Sequence, residues 1–321
     1  MTDPQIAIGS PVPDPVVAVG GTVTGKAAGR WRDVGRQVVH SWSGRIGLAL
    51  ATVIITMAVF APLIAPHGTR DIFLDPGRNE RVLERPCVQL LGCDGDEVQH
   101  LMGTDSNGRD VFSRIVYGSR ISLLAGAAAV LLAVGVGTLI GLVSGFFHRR
   151  LDNVLMRLMD VLLSFPSLLL AILIVTVLGR GLVNSILAIS IVSVPTYARV
   201  VRAQVLSLKE QDFVTADRAL GVNNWRILFH RVFPNTLTPL VVQGTLGFAT
   251  AVLEIAGLGF LGLGVQPPGA EWGTMVSDGF RASILSVPHL TIFPGVMLFI
   301  NVLAFNLLGD ALRDALDPRS E

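Results

Sequence analysis

Apolar residues in this chain gather into long charge-free runs, and polar residues gather into the blocks between them. A helix that crosses a bilayer needs about 20 mostly apolar residues, each rising about 1.5 Å. Six stretches answer to that pattern: 46–65, 121–147, 158–178 with Asp160 near one end and Pro166 inside, 182–198 with Pro195, 237–264 with Glu254, and 290–309 with Pro294. Lipid gives a backbone no hydrogen-bond partner, so each stretch is predicted to be helical. The pattern predicts an all-α membrane protein with six transmembrane helices.

The first stretch is longer than the roughly 7–15 apolar residues of a secretory signal, and a long tail precedes it, so it reads as an uncleaved anchor. Lysine and arginine set the orientation. Lys26, Arg30, Arg32, Arg36 and Arg45 precede the first helix, and Arg149, Arg150 and Arg157 follow the second. Arg199, Arg202, Lys209, Arg218, Arg226 and Arg231 follow the fourth, whereas the short segments on the opposite side hold only Arg180 and Arg281. Both termini are therefore expected in the cytoplasm. The resulting division is a mostly disordered cytoplasmic tail (1–45), the first helix (46–65), an external loop (66–120), a five-helix core (121–309) containing a cytoplasmic connection (203–236), and a cytoplasmic C-terminal tail (310–321).

Composition agrees and removes other classes. The chain of 321 residues is 51% hydrophobic and only 15% charged, against about 25% charged in a soluble domain. Lysine plus arginine (25) nearly balance aspartate plus glutamate (24), which gives a nucleic-acid partner no support. Cys87 and Cys93 both fall in the external loop, where a small disulfide-closed ring is one reading. Two free thiols or a metal pair are the others, although two sulfurs make a poor zinc site and no metal site is expected. Gly20 to Lys26 nearly spells a phosphate-binding loop, but Ala27 stands where a magnesium-binding hydroxyl belongs. No nucleophile–base constellation is present, so the chain is read as non-catalytic.

The connection 203–236 is the most informative segment. Residues 210–220 read as a short helix, with Gly221 ending it in a left-handed conformation. Asn223 or Asn224 can cap a second short helix, in which Trp225, Leu228, Phe229 and Val232 recur on one face and Arg226, His230 and Arg231 lie on the other. Pro234 is expected to end it. Ala216 and Ala219 are small enough to let a partner surface come close.

Thr215-Ala216-Asp217-Arg218-Ala219-Leu220-Gly221, closing at Pro234, resembles the EAA loop of ABC importer permeases. The family pattern is Glu-Ala-Ala, three residues, Gly, nine residues, then Ile-x-Leu-Pro. Ala216, Gly221 and Pro234 match in spacing, while Thr215, Asp217, Arg231 and Phe233 depart. The segment 103–123, including Asp105, Arg109, Asp110 and Arg114, is similar to the signature ahead of the second helix of dipeptide and oligopeptide permeases. The stretch 260–273, with Glu271-Trp272-Gly273, is similar to the segment after their fifth helix. The resemblance covers roughly 40–318 and points to the C-type subunit.

This resemblance implies a type I importer permease in a bacterial cell membrane. It would pair with a second homologous permease, dock two ABC ATPase subunits through its coupling loop, and receive solute from an external binding protein. The chain would carry no cofactor, with ATP and magnesium held by the ATPases. Di- or oligopeptides are the expected cargo; a nickel chelate, glutathione or an oligosaccharide is the alternative within the family, and an ion-coupled secondary transporter is the alternative outside it. A charge within a span should face protein or a wet cavity. Glu254 is thus either a pathway group for a peptide's ammonium end or a buried carboxyl bonded within the bundle, and Asp160 is expected to pair with Arg157 or another loop arginine. Gly137, Gly141 and Gly145 repeat every four residues, the spacing of close helix packing, against either the partner permease or this chain's own bundle.

Overall fold

The computed structural model describes residues 27–69, 71–72, 83–86, 100–147 and 149–316. Residues 1–26, with the glycine-rich stretch ending at Lys26, and both cysteines, Cys87 and Cys93, lie outside them. Among the described residues every extended element is helical, and Thr104 and Asp110 form one isolated antiparallel bridge.

Helix α1 (Ala27–His40) leads into α2 (Trp42–Val59), whose N-cap Ser41 accepts from the Gly44 amide at 3.1 Å. The short α3 (Ala61–Ile64) follows. The next helix, α4 (Val111–Phe146), begins ten residues before the apolar run, because Asp110 caps it by accepting from the Ser113 amide at 2.7 Å. At about 1.5 Å per residue it is longer than the roughly 30 Å hydrocarbon layer, so its polar first turns stand clear of lipid. Then come α5 (Arg149–Leu163), α6 (Ser167–Leu178) and α7 (Leu182–Leu208). The connection holds α8 (Asp212–Ala219) and α9 (Asn224–Ile227), and a wide π-helical turn, Leu228–Val232, joins α9 to α10 (Phe233–Phe260). The last two are α11 (Trp272–Ser283) and α12 (His289–Leu316).

The core lies where α4, α6, α7 and α10 meet, around Ala133, Ala188, Ala198, Val201, Ile255 and Leu258. The α4–α7 seam is the tightest. A Cβ on Gly137 would stand 2.7 Å from Tyr197 Cβ, one on Gly141 2.6 Å from Ala198 O, and one on Gly145 2.8 Å from Val205 Cβ. The four-residue glycine repeat thus packs within this chain's own bundle. At the opposite margin α2 lies on α12, with Gly47 against the Ala304 backbone.

Four expectations change. The stretch 158–178 is not one helix: α5 and α6 meet at a 92° bend. Pro166 lacks an amide hydrogen and disfavours helical geometry at Phe165. α5 is also amphipathic, carrying Arg149, Arg150, Asp152, Arg157 and Asp160. Among the described residues five helices are long and apolar enough to span, or six if the bent pair counts as one. Within the tail expected to be disordered, Ala27–His40 is helical, because Val34 and Val38, one turn apart, bury against Ala311 of α12. For the same reason 310–316 belongs to α12 rather than to a tail. Finally, Pro234 does not end the second loop helix, which runs through the π turn into α10. The Phe233 amide bonds Leu228 O, five residues back, so the ladder is already widened where the proline ring enters.

Candidate functional site

Three sites can be built from these elements. The first is the connection between α7 and α10. In α8 the Leu220 amide bonds Ala216 O and the Val222 amide bonds Asp217 O, both at 3.0 Å. Gly221 makes the reversal with φ of +74°. No atom lies within 4 Å of where its Cβ would be, so the backbone conformation, not crowding, demands glycine here. Asn223 then caps α9, its Oδ1 accepting from the Trp225 amide at 2.9 Å.

Val214, Ile227, Leu228 and Val232 are fully buried and anchor the loop to the core. The expected apolar face divides. Leu228 and Val232 point inward, whereas Trp225 and Phe229 are 52% and 41% exposed. Trp225 packs on Phe147 with ring centroids 4.8 Å apart and stacks against Phe229. Arg218 sits over the Phe146 ring at 5.4 Å. Thr215, Ala216, Ala219 and Leu220 face solvent, with Leu220 80% exposed at the tip. Asp217 and Arg231, two of the departures from the family pattern, are joined: Arg231 Nε donates to Asp217 Oδ2 at 3.1 Å. Each was weighed separately in the sequence; only a contact across the turn relates them.

The second site surrounds Glu254. Ser167 Oγ donates to Glu254 Oε1 at 3.0 Å across the α6–α10 contact. The carboxyl borders a cavity of about 290 Å³ between α6, α7 and α10, which Ser193, Thr196, Tyr197, Gln243 and Thr250 also line. Polar residues spaced singly within apolar runs gave no sequence signal; only their convergence marks them. Asp160 lies elsewhere. It pairs with Arg199 of α7 at 2.5 Å, with both side chains more than half exposed, and two turns away on α5 Asp152 pairs with Arg202 at 2.6 Å. The partner is thus one of the arginines expected after the fourth apolar stretch, carried here on α7, and Asp160 does not share the Glu254 cavity.

The third site is at the far end of the bundle. Asp105 Oδ1 accepts the Asn107 and Arg109 amides, and its Oδ2 faces Arg109 Nε at 2.8 Å and Arg114 Nε at 3.4 Å. Asp110 pairs with His100 at 3.0 Å rather than with an arginine. Burial pushes the Asp110 carboxyl up, but hydrogen bonds from His100 and Ser113 outweigh it and hold the group below its ordinary value. Glu271 caps α11, accepting from the Gly273 and Thr274 amides at 2.8 and 2.9 Å, and burial pushes its carboxyl up. The wholly buried Trp272 donates its indole N–H to Ile115 O at 3.1 Å, pinning α11 to α4. Among the described residues no three His, Cys, Asp or Glu side chains converge as metal ligands.

Comparison with known proteins places these features in a family. Residues 137–321 match the binding-protein-dependent transport system inner membrane component model, and residues 29–80 match the N-terminal membrane domain of oligopeptide transport permease C. The chain is 45% identical over 293 residues to the dipeptide transport system permease protein DppC of Alkalihalophilus pseudofirmus, covering 91% of each. It is 44% identical to the di/tripeptide transport system permease protein DppC of Pseudomonas aeruginosa, over 87% of this chain and 89% of that one. It is 38% identical to the glutathione transport system permease protein GsiD of Pectobacterium atrosepticum, over 90% and 91%. A multi-pass membrane protein with this helical plan, this loop and these relatives belongs to the binding-protein-dependent transport system inner membrane components, the permeases of ABC importers.

Proposed function

We propose that this chain is one of two permease subunits of an importer that carries di- or oligopeptides inward, driven by ATP hydrolysed on two partner ATPase subunits. An external binding protein would deliver the solute, and both chain termini would lie in the cytoplasm with the 203–236 connection. The observation that carries this reading is the connection itself. It is a rigid, anchored turn that leaves Thr215, Ala216, Ala219 and Leu220 as a small, solvent-facing knob at one end of the bundle.

The physical route from that knob to the solute is one continuous element. α9, the π turn and α10 form one run of 37 residues, Asn224–Phe260, reaching from the loop to Glu254 and beyond. A displacement of the loop by the closing ATPases is therefore delivered to the polar cavity as movement of a packed helix. Glu254 would serve there as a pathway group for an ammonium end, with Ser167 orienting its carboxyl. The chain performs no bond chemistry in this scheme. Glutathione is the second reading of the cargo, favoured by the likeness to glutathione permeases and by its being a peptide in size and charge.

The test is ATPase activity and uptake by the complete assembly in proteoliposomes, with Gly221→Trp as the probe. A side chain at φ of +74° is strained by about 1–2 kcal/mol, and the indole would stand in the space a partner needs. Peptide-loaded binding protein should stimulate the wild-type ATPase, and Gly221→Trp should abolish that stimulation while helical content is unchanged. A mutant that assembles and stays fully coupled would sink the docking assignment. Stimulation by glutathione alone would keep the importer and replace the cargo.

A further inference from the structure

The two signature segments around Asp105–Arg114 and Leu261–Pro267 meet α11 and the α6–α7 turn at one place, the end of the bundle away from the coupling loop. They enclose a cavity of about 350 Å³ lined by Arg109, Arg114, Arg180 and Arg281, with Asp278 as its one acidic side chain. That size falls in the range of about 300–1,000 Å³ that holds small organic ligands rather than bare ions.

The arginines fall into two pairs. Arg109 and Arg114 are 6% and 2% exposed; both contact the carboxylate of Asp105, and Asp278 lies within electrostatic reach of both. Asp105 also accepts two backbone amides, so it does not saturate the two guanidinium groups. Arg114 Nη1 is buried without a hydrogen-bond partner, a costly arrangement unless an acceptor arrives. Arg180 and Arg281 are exposed at the rim. Arg180 stands between two glycines in a turn fixed by the Gly181 amide on Leu263 O at 3.0 Å. Other lining donors are already used: Ser277 Oγ donates to Phe260 O and Gln266 Nε2 to Gly262 and Gly264 O. The guanidinium groups are the donors left for a ligand, and their planar forks match a carboxylate in two-point geometry.

We propose that this cavity binds the carboxylate end of a short peptide at the mouth of the permease. The source of the carboxylate rests on the reading of the chain as a peptide permease; the site itself rests on the arginines. Equilibrium binding of labelled dialanine, dialanine amide, glutarate and inorganic phosphate would be measured on the complete transporter in lipid nanodiscs, without binding protein. Dialanine and glutarate should bind, and the amide should bind at least tenfold more weakly. The double variant Arg180→Gln/Arg281→Gln, whose side chains are exposed, should lose at least tenfold for dialanine and nothing for the amide. Arg114→Lys, which keeps the charge and loses the fork, should lose affinity while retaining the fold. Equal binding of dialanine and its amide, or unchanged affinity in the variants, overturns the site. Binding of phosphate without dialanine or glutarate overturns the carboxylate. Loss of binding-protein docking in the double variant, with no free dialanine bound by wild type, assigns the arginines to a protein partner and overturns the solute site. Dialanine uptake by wild type separates the two readings: uptake with no effect of the variants on binding sinks the site alone, and glutarate binding lost in the double variant without peptide uptake sinks the peptide reading and leaves the site standing.

Discussion

Asp217 and Arg231 hold the two arms of the loop across the turn, with Arg231 61% exposed and Asp217 only 16%. An ion pair with one partner in solvent is worth about 0.2–1 kcal/mol, because screening and side-chain ordering offset most of the attraction. Single replacements Asp217→Ala and Arg231→Ala should therefore lower the melting temperature slightly and by similar amounts. The double-mutant cycle should return a coupling energy inside that range, and the exchanged pair Asp217→Arg/Arg231→Asp should recover part of it. A coupling of zero in low salt would mean that the buried Val214 and Val232 alone keep the arms together. Asp110 is a stronger contributor, since it caps α4 and bonds His100 in a buried setting. Its carboxyl is held below its ordinary 3.8. A depressed acid contributes its full stability above its ordinary value and loses it as the pH falls from there through its lower folded-state value, since the folded state resists protonation that the unfolded state accepts. Asp110→Ala should cost about 1–2 kcal/mol at neutral pH, and the melting temperatures of mutant and wild type should draw together as the pH falls below the ordinary 3.8.

Between elements, the α4–α7 seam allows the clearest contrast, because α4 carries glycines on two faces. Gly135 has open space where its Cβ would be, whereas a Cβ at Gly141 would stand 2.6 Å from Ala198 O and 2.7 Å from Val201 Cβ. Gly135→Ala should be neutral or stabilising by up to about 1 kcal/mol through helix propensity. Gly141→Ala should destabilise by about 1–3 kcal/mol through overpacking. Opposite shifts in melting temperature for the same chemical change on one helix would establish the seam; equal shifts would refute it. Close packing at the four-residue glycine repeat was legible in the chain, but whether it meets a helix of this chain or of a partner permease was not. The left-handed turn at Gly221 and the cap at Asn223 were legible because each residue type is required by a local backbone need. The α5–α6 bend was signalled by Pro166 and by the charges on α5, but apolar length outweighed them. The π turn before Pro234 left no trace, since it depends on how Leu228 and Val232 settle into the core. In the sequence Arg180 and Arg281 signal only topology, because nothing local tells that residues so far apart share a cavity.

Across the whole molecule, the loop, α10 and the Glu254 cavity form one mechanical line. Glu254 lies thirty residues beyond Asn224 on the continuous run, a distance of about 45 Å at helical rise. Such a line suits a machine in which force enters at one end and solute is released farther along; in the proposed importer a carboxyl in the cavity would be a binding group rather than an energy source. The alternative is an ion-driven carrier in which Glu254 is protonated and deprotonated on each cycle. The two readings assign opposite consequences to Glu254→Gln. If Glu254 only meets an ammonium group, the variant should keep ATP-driven uptake while its apparent affinity for a zwitterionic peptide falls about tenfold, the worth of one charge-assisted hydrogen bond of about 1.5 kcal/mol. An N-acetylated peptide, which lacks the ammonium, should be carried equally by both forms. Uptake should persist when a protonophore collapses the gradient at constant ATP, and stop when ATP is removed. If the variant instead abolishes uptake of both peptides, and the protonophore does the same to wild type, the carboxyl is the coupling group and the coupling loop is not where energy enters.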